Sequence, residues 1–203
     1  FSNTTGTELT AIGYRAGRSN TTASSNTSIG FQALYSTTTG NSNNAFGSGA
    51  LYHNTTGTDN VAMGVNSLVT NTTGSHNIGI GRDAGKDITD GERNILIGGI
   101  VGEEITTADD IIAIGYRSGG GNAGAATTGH DNVCIGTSSG ESLTTGFANI
   151  FMGKDSGSTT TQAARNICIG HQARNAVATD DDTIVLGYNI AGASNDFSFG
   201  KAS

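Results

Sequence analysis

The chain of 203 residues has no proline and no tryptophan, two cysteines, two methionines and only 6% aromatic residues. Each shortage excludes something. Proline inside a sheet removes a ladder hydrogen bond, so its absence leaves every segment free to pair with a neighbour. Two cysteines cannot make a disulfide-rich scaffold. Charged residues amount to 13%, with a net charge of −7 and no cluster of Lys or Arg. Binding to a phosphate backbone needs a basic face, so nucleic acid is excluded as a partner. No apolar run reaches the length of a membrane span. Phe1 is not an initiator methionine; the chain is therefore expected to be a fragment, and the lack of a leader carries no weight.

What the sequence does have is a period. The stretch Asn60-Val61-Ala62-Met63-Gly64 returns in recognisable form, its glycine falling at 13, 30, 47, 64, 81, 98 and 115, then 136, 153, 170 and 187. A shortened copy ends at Gly200. The step is seventeen residues except for one of twenty-one, which carries an insertion in 119–126. Self-similarity at a short fixed period is the mark of a solenoid. The expectation is an all-β parallel β-roll of about twelve 17-residue coils, forming one domain over 1–203 with a shortened last coil at 188–200. Hydrophobic residues are only 34% of the chain, a level that suits disorder, but here they fall at fixed phases.

Read down columns, the residue before each glycine is large and apolar, as in Ile12, Phe46, Met63, Ile97 and Met152; three before it is mostly β-branched, as in Val61, Ile78, Ile112 and Ile167. Between them sits a small residue. This alternation predicts a strand, with the large side chains turned into the coil and a flat outer face covered by sister chains. The interface candidates on that face are Ala11, Ala45, Ala62, Leu96, Ala113, Cys134, Phe151, Cys168 and Val185. Four before the glycine runs an asparagine column, Asn26 to Asn166, expected to form an amide ladder at a corner. A second corner is Thr-Thr-Gly, as in Thr55-Thr56-Gly57, whose glycine is expected to supply a positive φ. The position four after the repeat glycine, leucine or glycine, predicts a short strand or bend.

Catalytic motifs are missing. Gly119-Gly120-Gly121 lacks the following Lys-Ser/Thr of a phosphate loop. Gly136-Thr137-Ser138-Ser139-Gly140 matches Gly-x-Ser-x-Gly, but a nucleophile elbow needs a strand-to-helix turn. His53, His76, His130 and His171 occupy four different phases, so no zinc site is expected. No cofactor and no metal are expected, and the chain reads as a non-enzyme. Binding candidates are the aromatic residues Tyr14, Tyr35, Tyr52, Tyr116 and Tyr188, whose rings suit sugar faces or packing between chains, and Asn122 in the insertion.

Coils of the form Asn-x-Ala-Ile/Met/Phe-Gly-x-x-Ala-Leu resemble the head repeats of YadA-like trimeric autotransporter adhesins. Runs such as Asn54-Thr55-Thr56-Gly57-Thr58-Asp59-Asn60-Val61-Ala62-Met63-Gly64 are similar to repeats in phage tail fibres, which commonly precede a self-cleaving chaperone domain. The resemblance covers nearly all of 4–200 and implies a left-handed parallel β-roll wound as a homotrimer. It implies a fibre segment on the virion that attaches to a glycan or protein of a bacterial host. The alternative is the head of a bacterial trimeric adhesin on the outer-membrane surface; a glycan-degrading fibre enzyme is the third reading. The period of seventeen, where adhesin heads repeat near fourteen, together with the Thr-Thr-Gly corner, favours the fibre.

Overall fold

The computed structural model describes residues 2–120 and 124–201. It is a parallel β-solenoid. Ten three-residue strands, from Thr10–Ile12 through Val61–Met63 and Ile95–Ile97 to Ile167–Ile169, are followed by two of five residues, Ile184–Tyr188 and Phe197–Lys201. All twelve stack in chain order into one parallel sheet. Each strand pairs with its equivalent one coil later: Ala45 lies against Ala62, Leu96 against Ala113, Cys134 against Phe151. The twenty-one-residue coil keeps this register, Ile112 meeting Val133, so its extra residues leave the sheet undisturbed. A second, two-stranded sheet joins Arg174–Asn175 to Ala191–Gly192.

The rest of each coil consists of corners. Residues two and four after the repeat glycine, and five before the next, take left-handed backbone: Asn66 (φ 55°), Leu68 (φ 50°) and His76 (φ 61°) in one coil. Such conformations are costly for residues with a Cβ. Here the neighbouring coils hold them, because Asn66 N–H donates to Ser48 O (2.9 Å), Leu68 N–H to Ala84 O (2.9 Å) and His76 N–H to Thr58 O (3.0 Å). The position four after the glycine is thus a bend in most coils and a two-residue strand in the last ones, at Arg174 and Ala191.

Two glycine columns are fixed by close approach. At the repeat glycine Gly64 φ is +136°, and a Cβ would stand 2.4 Å from Gly81 O. In the Thr-Thr-Gly corner the expected positive φ is not found at Gly57. That glycine is required because a Cβ would fall 2.3 Å from Gly74 O and 2.4 Å from Asn54 Oδ1.

The asparagine ladder forms as expected. Asn43 Oδ1 accepts from both Asn60 N and Asn60 Nδ2 (3.1 Å each), and Asn60 Nδ2 also donates to Gly74 O (2.9 Å). The pattern continues through Asn77 and Asn94, and again from Asn132 to Asn166. Ile111 interrupts it: its N–H still bonds Asn94 Oδ1 (3.0 Å), but its side chain has no amide to pass on.

The orientation of the strands corrects the sequence reading. The small column faces inward. Ala45, Ala62, Leu96, Ala113, Cys134, Phe151, Cys168 and Val185 are fully buried inside the single chain, so none is available to a sister chain. Ala11 alone of that set is exposed, in the first coil. The large column faces outward: Ile12 is 59% exposed, Met63 44%, Ile114 36%. The physical reason is the width of the coil. The interior between sheet and corners takes one side chain from the strand, one from the bend and one from the position seven after the glycine (Ile88, Ile105 and Leu143 in later coils), and the strand and bend residues alternate in size. Where the bend holds Leu51 or Leu68, the strand offers Ala62 or Gly79. Where the strand holds Leu96 or Phe151, the bend offers Gly102 or Gly157; a Cβ on Gly157 would lie 2.4 Å from the Phe151 ring. Strand and bend cannot both present a large residue across so thin a core.

Cys134 and Cys168 are free and buried in this interior, and burial pushes both thiols up to about 12. A thiolate is the reactive form; against an ordinary thiol near 8.5, its fraction at pH 8 falls on the order of a thousandfold. Both cysteines should therefore resist a disulfide-exchange reagent in the folded chain and react together in denaturant, a result readable by mass spectrometry. Labelling of either without unfolding would contradict the packing.

Candidate interaction surface

The outward face of the twelve-stranded sheet carries two aliphatic columns. One is the residue before each glycine: Ile12, Met63, Ile114, Met152, Ile169 and Phe199 are exposed, while Ile29, Ile80, Ile97, Ile135 and Leu186 are half-buried, shielded by their own stacked neighbours. The other stands two residues earlier. It is polar in the first three coils (Thr10, Thr27, Asn44) and aliphatic from Val61 through Ile78, Ile95, Ile112 and Ile150 to Ile184. Stacked at about 4.8 Å over eleven steps, the columns extend for roughly 50 Å. Scattered surface hydrophobes need no explanation, but a continuous stripe of this length does. A third strip lies just past the glycine corner, where Tyr14, Phe31, Val65, Tyr116 and Tyr188 are each about half exposed.

Sequence reasoning placed the two aliphatic columns inside and so missed the face. The signal was present in the alternation of leucine and glycine four after the repeat glycine, which tracks the size of the small column and shows that the two share one interior.

The aromatic binding candidates are largely engaged with one another. Tyr35 and Tyr52 stack at 4.9 Å with planes 2° apart. The Arg18 guanidinium lies over the Tyr35 ring at 5.6 Å and donates to its hydroxyl at 2.7 Å. His53 meets Tyr52 edge-on at 4.6 Å. Ring faces closed in this way are poor platforms for a sugar. Tyr14 stacks on Phe31 at 5.5 Å with Arg15 over its ring, and Tyr188 leans on His171 at 5.3 Å. Tyr116 packs over Gly99, whose Cβ would be 3.6 Å from the ring. Structure thus brings Tyr35 and Tyr52 together and leaves Tyr14, Tyr116 and Tyr188 on three different coils of the strip beyond the corner. Asn122 lies outside the described residues.

Charges sit on the corners as ladders between coils. Arg93 bonds Asp110 through Nε (2.7 Å) and Nη2 (3.0 Å) and reaches Glu92 at 2.7 Å. Arg165 grips Asp182 in the same way, at 2.6 and 2.8 Å. These guanidinium bonds hold the Asp110 and Asp182 carboxyls below the usual range. Beside the insertion, a cleft of about 290 Å³ is lined by Asp87, Glu104, Thr106 and Gly124 to Ala126. Burial raises the Asp87 carboxyl, with Glu103 and Glu104 adding to the effect against Lys86, and Gly124 N–H donates to Glu104 Oε1 (3.1 Å).

Other sequence motifs resolve as architecture. Ser138 is a left-handed corner residue with φ 55°, bonded through its N–H to Tyr116 O (2.9 Å), in a chain whose described residues contain strands and turns but no helix. The hydroxyls of Thr21, Thr55, Thr72 and Thr144 donate to the carbonyl of the equivalent threonine one coil on, so they tie coils together and do not form a free hydroxyl array. Among the described residues no three His, Cys, Asp or Glu side chains converge as a metal site, and there is no helix long and apolar enough to cross a membrane. No family model, no curated protein and no solved structure matches the chain.

Proposed function

We propose that this chain is a segment of a homotrimeric fibre, of the phage tail-fibre kind, that presents a receptor-binding surface to a bacterial host. The observation that carries the reading is the outward aliphatic stripe of the sheet. Left in water it is an aggregation hazard; covered by two further copies it becomes the hydrophobic centre of a fibre. A ring closed by rotation needs two different patches on each chain, and the chain has two: the sheet face before the glycine corner and the aromatic strip after it. The resemblance of its coils to fibre and adhesin repeats supports the same assembly. In such a trimer the corner ladders face outward, where a glycan or protein receptor would meet them.

Sedimentation equilibrium, together with adhesion of the labelled chain to a panel of bacterial strains, tests this. A three-chain mass and saturable binding to a subset of strains are expected. A single-chain mass at micromolar concentration overturns the reading, and release of sugars from the bound cells would replace attachment with hydrolysis.

A further inference from the structure

Along the first coils, seven after the repeat glycine, runs a second amide column: Asn3, which is exposed, then the buried Asn20, Asn54 and Asn71, with Thr37 standing where one amide would be. Asn20 Nδ2 donates to Asn3 Oδ1 (2.9 Å) and Ala23 O (3.1 Å). Asn71 Nδ2 donates to Asn54 Oδ1 (3.0 Å) and Gly74 O (2.9 Å). Each amide therefore bonds its own corner and the amide one coil before. At Thr37 the chain of bonds breaks. Asn20 Oδ1 and Thr37 Oγ1 are both buried without a protein partner, Asn20 being 3% exposed and Thr37 1%. Asn54 Nδ2 bonds Gly57 O (3.0 Å), and the amide it would reach back to is the one that Thr37 replaces.

A cavity opens at the same place, lined by Asn20, Thr37, Asn26, Ser28 and Leu34 among others, with about 10 Å³ open to the centre of a water molecule. That is the size at which one water fits, and a water enters such a space when polar partners meet it there. Apolar voids stay dry even when much larger. We infer that one water is held between Asn20 Oδ1 and Thr37 Oγ1 as a structural part of the solenoid, meeting the two polar atoms that the missing amide leaves without a partner. A buried acceptor left unmet is expensive, and the threonine hydroxyl serves as donor or acceptor as the water requires. The site depends on the coil interior alone and is independent of any receptor.

A crystal structure of the wild-type chain at a resolution that shows solvent, with thermal melting of two variants, tests the inference. Density within hydrogen-bond distance of both atoms is expected. Thr37→Asn should displace it, complete the amide run and raise the melting midpoint by roughly 2–4 °C. Thr37→Val should lower the midpoint by a similar amount, since it removes a partner from the water while keeping the shape. An empty cavity in the wild type, or a Thr37→Val variant that melts at or above it, overturns the inference.

Discussion

Replacing Gly64 by alanine should unfold the middle of the solenoid. The added Cβ would lie 2.4 Å from Gly81 O and 2.6 Å from its carbonyl carbon, well inside contact distance, with backbone of the next coil as the obstacle. A flexible side chain can move aside; a backbone carbonyl fixed in its corner by the Ala84 N–H (3.4 Å) has far less freedom. The φ of +136° adds strain of about 1–3 kcal/mol for any residue with a Cβ. Relieving the clash requires spreading two coils, which breaks the ladder on both sides of the site. A loss of about 4 kcal/mol or more is expected, large against the usual stability of a domain, and read as a collapsed thermal transition. Gly124→Ala is the matched control. Its φ is +63°, and a Cβ there meets nothing within 4 Å, so the cost should stay near 1 kcal/mol. Equal effects at the two sites would refute the close-stacked glycine column.

The second large effect separates assembly from folding through adjacent residues. Ile97 points out of the sheet and Leu96, beside it, points in and is fully buried. The double variant Ile80→Lys with Ile97→Lys should fold, because both side chains leave the backbone ladder untouched, yet fail to assemble. Burial of an isoleucine is worth about 1.5–3 kcal/mol. In the proposed trimer, three copies of two substitutions remove on the order of 10 kcal/mol, before counting the desolvation of lysines placed face to face. At micromolar concentration the species should sediment as one chain with its β-sheet circular dichroism retained. Leu96→Lys, by contrast, puts a charge in the coil interior and should abolish the folded signal. If Ile97→Lys unfolds and Leu96→Lys merely dissociates, the orientation of the strands is wrong.

The repeat, the parallel stacking and the asparagine ladder were legible in the sequence because each depends on a residue recurring at one phase. Asn43, Asn60 and Asn77 announce a ladder by their spacing alone. Facing direction was not legible from alternation, since a period of two gives two faces without saying which is inside. Size then misled: Met63 and Ile97 look like core, and Ala62 looks like surface. What decides the matter is a relation between distant columns, Leu68 with Gly79 and Gly157 with Phe151, which hydrophobicity read along one strand does not reveal. The Thr-Thr-Gly corner misled in another way. Glycine suggests an unusual φ, whereas Gly57 is needed for the room its missing Cβ leaves to Gly74. Of the binding candidates, Tyr35 and Tyr52 shared a phase in the sequence and do stack, but their pairing closes the ring faces that made them attractive.

The backbone hydrogen bonds that join successive coils run along the length of the rod, Leu68 N–H reaching forward to Ala84 O and Asn66 N–H back to Ser48 O. A pull at the two ends therefore loads these bonds in tension, a few at a time, and strips the outermost turn before the next feels the load. Each seventeen-residue turn that comes free lengthens the tether by about 50–60 Å. A solenoid of this construction would dissipate a tug in steps, yielding from an end while the remainder stays wound.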